Sequence, residues 1–132
     1  MNEDATLPQK TVLIVDDEPT IRKLFTNRLS RYFSILQAED GSAALVIAFA
    51  KHPDLILLDI KMPGMTGFEV LQKIRARDEW GKHVPVIFLT NVELQTDSAY
   101  AAILKNEPAY YLMKDSTDTE DLVAKIKSSI KA

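Results

Sequence analysis

Apolar residues fall along this chain in two alternating patterns: short continuous runs, and longer stretches carrying an apolar stripe at helical spacing. Thr11–Val15 is a run rich in β-branched residues and closed by Asp16 and Asp17, which reads as a strand buried on both faces. Phe33 to Ala38, Leu55 to Leu58, Val86 to Thr90 and Tyr110 to Met113 supply four more strands, with Pro85 acceptable at the start of the fourth. A helix is predicted from Pro19, where proline suits a first turn, to about Arg31. Asp40-Gly41-Ser42 offers turn and capping chemistry for a second helix to His52, and Phe68 to about Arg77 forms a third. A fourth is expected around Asp97–Leu104, and a last from about Thr119 with Asp118 as its N-cap.

Strands alternating with helices imply an α/β fold, a parallel sheet covered on both faces. In such open sheets ligands bind beyond the carboxyl ends of the strands, near a switch in strand order. That rule selects Asp16-Asp17, Asp59, Thr90 and Lys114 as the residues to weigh.

Length and composition narrow the setting. The 132 residues suit one domain, expected over residues 10–131 after a flexible tail of residues 1–9, and 46% hydrophobic residues provide a core. The net charge of -3, with Lys and Arg interleaved among acids, argues against direct nucleic-acid binding. Without cysteine, disulfides and thiolate metal sites are excluded. The longest apolar stretch, Ala43 to Ala50, is far shorter than the roughly 18 residues of a membrane span. The polar, acidic start MNEDATLPQK does not resemble a secretory signal, so a cytoplasmic location is expected.

Carboxylates converging on one sheet edge repel; two unit charges about 4 Å apart cost on the order of 4 kcal/mol at an effective dielectric near 20. A hard divalent cation with oxygen ligands relieves this, and Mg²⁺ needs only a few carboxylates plus waters. Adding the Lys114 ammonium and the Thr90 hydroxyl makes a cradle for a phosphoryl group, with a carboxylate as its acceptor. Each residue has an ordinary reading too. Asp16 or Asp17 can cap the next helix, Asp59 can open a turn, Thr90 can be structural, and Lys114 can be a solvated lysine. The joint occurrence at four strand ends favours the phosphoacceptor.

The segments VLIVDD (12–17), LILLDIKMPGMTG (55–67), VIFLT (86–90) and YLMK (111–114) resemble the receiver domains of two-component response regulators, chemotaxis-regulator-like in their single-domain length. Asp59 to Gly67 matches the family's D-x-x-M-P-x-M-x-G loop. The resemblance implies a flavodoxin-like (βα)5 doubly wound fold with a five-stranded parallel sheet of order 2-1-3-4-5. It also implies that Asp59 takes a phosphoryl group from a histidine kinase, a histidine phosphotransfer protein or a small donor. Asp17 and Asp59 would bind Mg²⁺ directly, the Lys61 carbonyl would add a ligand, and Asp16 would act through water. Lys114 would pair with the phosphoryl oxygens, and Thr90 and Tyr111 would move together as the switch. The expected product is a regulatory domain that catalyses only its own phosphorylation and dephosphorylation, acts as a monomer or weak dimer, and presents a changed face to a downstream partner. The sequence stops after the last helix, so no output domain is expected within it: either the domain acts alone by binding a partner or it is a piece of a longer regulator.

Several positions depart from the family pattern. Asp115 follows Lys114 where the family has proline across a cis bond; a cis bond without proline costs roughly 2.5–4 kcal/mol, so a trans bond is expected. Asn91 replaces a small residue beside Thr90 and would narrow access to Asp59. Lys61 and Val92 offer no carboxylate or amide to orient a hydrolytic water, which predicts slow self-dephosphorylation. Asn106-Glu107-Pro108-Ala109 replaces a Gly-rich turn. The second helix has Ala44, Leu45 and Ala48 for the sheet, yet a second stripe of Ala43, Val46, Phe49 and Ala50; an exposed Val46 would point to a partner or dimer surface.

Two other classes fit less well. An aspartate-nucleophile phosphatase of the haloacid-dehalogenase type would carry a second acid two residues after the nucleophile, where Lys61 stands. A flavodoxin-like cofactor binder would need a Ser/Thr- and Gly-rich phosphate loop after the first strand, where Asp16-Asp17-Glu18 would repel phosphate.

Overall fold

The computed structural model describes residues 9–91, 110–115 and 117–130. The five strands are β1 (Thr11–Val15), β2 (Ser34–Ala38), β3 (Leu55–Leu58), β4 (Val86–Thr90) and β5 (Tyr110–Met113). They form one parallel sheet in the order β2-β1-β3-β4-β5, as expected. The helices described are α1 (Pro19–Leu29), α2 (Gly41–Lys51), α3 (Gly67–Arg77), a short α4 (Glu79–His83) and α5 (Thr119–Ile130). The helix expected around Asp97–Leu104, together with Val92 and the stretch from Asn106 to Ala109, lies outside the described residues.

Period-two geometry sorts the central strands onto two faces. Leu13, Val15, Ile56, Leu58, Val86 and Phe88 point to one side and pack with Ala44 and Ala48 of α2 and with Val70, Leu71 and Ile74 of α3. Val12, Ile14, Leu55, Leu57, Ile87 and Leu89 point to the other and meet Phe25 and Leu29 of α1 and Leu122, Val123 and Ile126 of α5. Burial on both faces is why these strands read as continuous apolar runs. β2, at the sheet edge, has only Ala38 buried.

Helix ends follow local chemistry. Asp40 accepts from the Ala43 amide at 2.8 Å and caps α2, whose end is marked by His52 in the left-handed region (φ 46°). Thr66 and Glu69 form a capping box at the start of α3. Asp118 accepts from the Asp121 amide at 2.7 Å, the expected cap of α5. Pro19 opens α1, which stops at Leu29, two residues short of the expected end.

α4 was not expected from the sequence. Asp78 caps it through the Gly81 amide at 2.7 Å, and a Cβ at Gly81 would collide with the Ile74 carbonyl oxygen. Arg75 then donates to the carbonyls of Gly81 (2.8 Å) and Val84 (2.6 Å), fastening α4 against α3 before the chain enters β4.

Candidate phosphoacceptor site

Register brings the site together. β1 and β3 are neighbours with Val15 opposite Leu58, so the residues that follow, Asp16 and Asp59, leave the sheet side by side. The Asp59 amide donates to the Val15 carbonyl at 3.0 Å, and the Asp16 amide to Ala38 at 3.1 Å. On the other side Thr90 pairs with Met113, and the Lys114 amide donates to the Thr90 carbonyl at 2.9 Å. Four groups far apart in sequence therefore share one edge.

Their burial is unusual for their chemistry. Asp16 is 4% exposed, Asp59 5%, Thr90 0% and Lys114 9%. The Lys114 Nζ lies 2.6 Å from Asp16 Oδ2, 3.2 Å from Asp59 Oδ2 and 3.7 Å from Glu18 Oε1. Asp16 uses its other oxygen, Oδ1, to accept from the Glu18 amide at 2.9 Å. Asp16 thus turns the chain toward α1 without capping it, since the N-cap position belongs to Glu18, which makes no side-chain cap bond. Arg22 on α1 donates to the Asp16 carbonyl at 2.8 Å and pins the strand end.

Burial pushes the Asp16 carboxyl above the usual carboxylate range, and the charge of Asp59 adds to the rise. The hydrogen bonds from Lys114 and from the Glu18 amide pull the other way but do not cancel it. For Lys114 burial is again the largest influence, here downward, yet the hydrogen bond to Asp16 and the charges of Asp59 and Asp16 outweigh it and leave the ammonium above the usual lysine range. An ion pair alone would lower the acid as it raises the base. Asp16 moves up instead, because it is a buried carboxylate facing a second buried carboxylate.

A cavity of about 600 Å³ opens over this edge, lined among others by Asp17, Glu18, Asp59, Lys61, Thr90 and Lys114. Carboxylate oxygens of Asp16, Asp17 and Glu18 lie within 4.8 Å of one another. Asp59 is not one of that trio; its Oδ2 is turned on Lys114. Three carboxylates, Asp16, Glu18 and Asp59, thus lie within 4 Å of one buried ammonium, Asp17 stands beside the first two, and the donors are all hard oxygens, a set that fits Mg²⁺ or a similar divalent cation. Asp16, Asp17, Asp59 and Lys61 are the ligands expected from the sequence. In the sequence Glu18 counts only in an acidic run that would repel phosphate and not among the site residues, although its adjacency to the acidic pair is the available signal. Arg22 could not have been found without the fold, because its partner is a backbone carbonyl.

The loop after Asp59 is held by its own apolar residues and glycines. Ile60 and Met62 are buried, and Gly67 donates its amide to the Ile60 carbonyl at 2.8 Å. A Cβ at Gly67 would run into the Asp59 carbonyl oxygen and lie 2.9 Å from the Ile60 Cα, so only glycine permits the return of the loop. Gly64, at φ 82°, makes the turn in between. Asn91 borders this cavity and also a groove that runs between α1 and the β5–α5 connection. The Lys114–Asp115 bond is trans, as expected.

A family model for the response regulator receiver domain matches residues 12–127. The chain belongs to this family. The receiver domain is 35% identical over 118 residues to the response regulator PleD of Caulobacter vibrioides, covering 89% of this chain and 25% of that protein. It is 31% identical to the protein PilH of Pseudomonas aeruginosa over 118 residues, covering 89% of this chain and 94% of that one. Among solved structures, the chemotaxis protein CheY4 of Vibrio cholerae superposes with a TM-score of 0.81 at 27% identity, covering 92% of this chain and 98% of that chain. The receiver spans only 19% of a probable cyclic di-GMP phosphodiesterase of Vibrio cholerae to which it is 46% identical over 85 residues. Receivers are regulatory domains, and among the described residues no helix is long and apolar enough to cross a membrane.

Proposed function

We propose that this receiver is a phosphoacceptor switch of a two-component phosphorelay, with Asp59 as the acceptor. The observation that carries this reading is the buried Asp59 carboxylate, 3.2 Å from the Lys114 ammonium at the floor of an acid-lined cavity. An Asp59 carboxylate oxygen attacks the phosphorus of a phosphohistidine on a histidine kinase or histidine phosphotransfer protein. The P–O bond forms as the P–N bond breaks, and the imidazole leaves with the electron pair and takes up a proton. Asp17, Asp59 and the Lys61 carbonyl would hold Mg²⁺, with Asp16 acting through water and Glu18 close by, and the ion would supply charge neutralisation for the entering phosphoryl group. Lys114 then transfers its hydrogen bond from a carboxylate oxygen to a phosphoryl oxygen.

Thr90 and Tyr111 form the switch in this reading. Thr90 is fully buried on β4, and Tyr111, opposite Phe88 on β5, is half-buried against the core beneath α2 and α3. A shift of the Thr90 hydroxyl toward the phosphate frees space that the Tyr111 ring can take, changing the surface offered to a downstream protein. Asn91 at the cavity rim slows small donors such as acetyl phosphate, and Lys61 leaves the hydrolytic water without an orienting carboxylate. Cytoplasmic location and self-limited chemistry, with no turnover of a separate substrate, complete the proposal.

The test is intact mass after exposure to Mg²⁺ and a phosphodonor. Wild type gains one phosphoryl group and Asp59→Asn gains none; a mutant that still gains one would move the acceptor elsewhere.

A further inference from the structure

Among the described helices, α2 departs furthest from ordinary surface composition. From Gly41 to Ala50 it carries no charged residue. Ala44 and Ala48 bury one face on the sheet. On the outer face Val46 is 70% exposed, the most exposed large hydrophobic among the described residues, and Ala50 is exposed one turn on. Phe49 is half-buried between them, with the Trp80 ring edge-on at 6.4 Å and the Arg77 guanidinium 4.1 Å from its centroid. Leu45, Val46, Phe49, Ala50 and Arg77 line a shallow groove along this face. One exposed valine would need no account, but an uncharged outer helix face with a groove beside it does.

We propose that this face is a self-association surface on which a second copy of the chain lays its own α2 antiparallel, about a two-fold axis at Val46. The charges flanking the helix select that occupant. Exposed Glu39 precedes α2, and exposed Lys51 and Arg77 stand at its far end. With Val46 against Val46, an antiparallel partner sets Ser42 against Ala50 and Glu39 near Lys51 and Arg77, twice over by symmetry. A parallel partner would bring Glu39 to Glu39 and Lys51 to Lys51. The helix dipoles also oppose favourably only in the antiparallel arrangement. Ser42, Ala43 and Ala50 are small enough for close approach at a shallow crossing of roughly 20°, which keeps the full helix length in contact. That length is 11 residues, about 16 Å. Such an interface lies at the small end of the size range, below about 1,200 Å² in total, so the dimer is reversible and concentration-dependent. It does not depend on the phosphoacceptor reading.

Sedimentation velocity over rising concentration tests this. Wild type is expected to shift from monomer toward dimer, and Val46→Glu to raise the dissociation constant about tenfold or more. Val46→Ser, with a melting curve matching wild type in dilute solution, guards against misfolding and should weaken the dimer as well. Glu39→Lys and Lys51→Glu should each weaken association, and the double exchange should restore it, because swapped charges again meet opposites across the axis. A wild type that stays monomeric at the highest concentration overturns the proposal, as does a dimer indifferent to both Val46 substitutions. A double exchange no better than either single change overturns the antiparallel register.

Discussion

Two regions of this receiver break the usual sorting of side chains, in opposite senses. At the carboxyl edge of the sheet, charged Asp16, Asp59 and Lys114 are buried; on α2, apolar Val46 and Ala50 are exposed. The buried charges are tolerated because the chain brings them partners: Lys114 reaches three carboxylates, and Asp16 also accepts an amide. Within the chain the outer face of α2 is lined at its rim by Phe49 and Arg77, and Val46 itself stays largely in solvent. On the proposed readings, a site that accepts a charged group is built by storing charge, whereas a surface that accepts another surface is built by withholding it.

The largest effect expected from disturbing this contrast comes at Lys114. Removing one partner of a buried ion pair leaves uncompensated charge, which costs about 3–5 kcal/mol. Lys114→Ala should therefore lose stability of that order in urea titrations without Mg²⁺, and adding Mg²⁺ should recover part of it. A loss below about 1 kcal/mol would mean that the carboxylates do not depend on the ammonium, in the manner of ordinary surface pairs.

Metal should act next. The raised Asp16 pKa means the folded state holds its proton more tightly than the unfolded chain. The stability from that group is present below the ordinary aspartate range and is lost as pH rises through the raised value. Mg²⁺ at a hundredfold excess over its dissociation constant should return about 2.7 kcal/mol at neutral pH. The gain should shrink as acid protonates the ligands. Lys114 sets the other limit. Its contribution persists up to the ordinary lysine range and disappears as pH rises through its raised folded value. Melting temperatures with and without Mg²⁺ across pH read both arms; a metal effect that grew toward acid pH would contradict the assignment.

Gly67→Ala tests the backbone under Asp59. The new methyl collides with the Asp59 carbonyl oxygen, so a loss of about 1–3 kcal/mol is expected, accompanied by slower phosphoryl uptake. Unchanged stability and uptake would show that the loop yields freely. The smallest effect belongs to the exposed side of the comparison: Val46→Ser in dilute solution should stay within about 0.5 kcal/mol of wild type. A larger loss by calorimetry would place Val46 in the monomer's own packing.

The core strands were legible because burial on both faces leaves continuous apolar runs such as Leu55–Leu58. The caps at Asp40 and Asp118 were legible because capping is a matter of a few adjacent residues. α4 was not, since five residues around a glycine carry no helical periodicity and the segment is stabilised by Arg75 from α3. Glu18 and Arg22 were missed for a related reason: one acts across space on Lys114, the other on a carbonyl that leaves no mark in the sequence.

Sequence alone determined the α/β class, the D-x-x-M-P-x-M-x-G loop from Asp59 to Gly67 and the presence of acids, threonine and lysine at strand ends, because these depend on local order and periodicity. Only the tertiary structure decided that Asp59 faces Lys114 rather than joining the carboxylate trio, that Glu18 stands near the ammonium, and that Val46 lies in the open. Strand register and helix docking set those distances, and both arise from contacts between residues far apart in the chain.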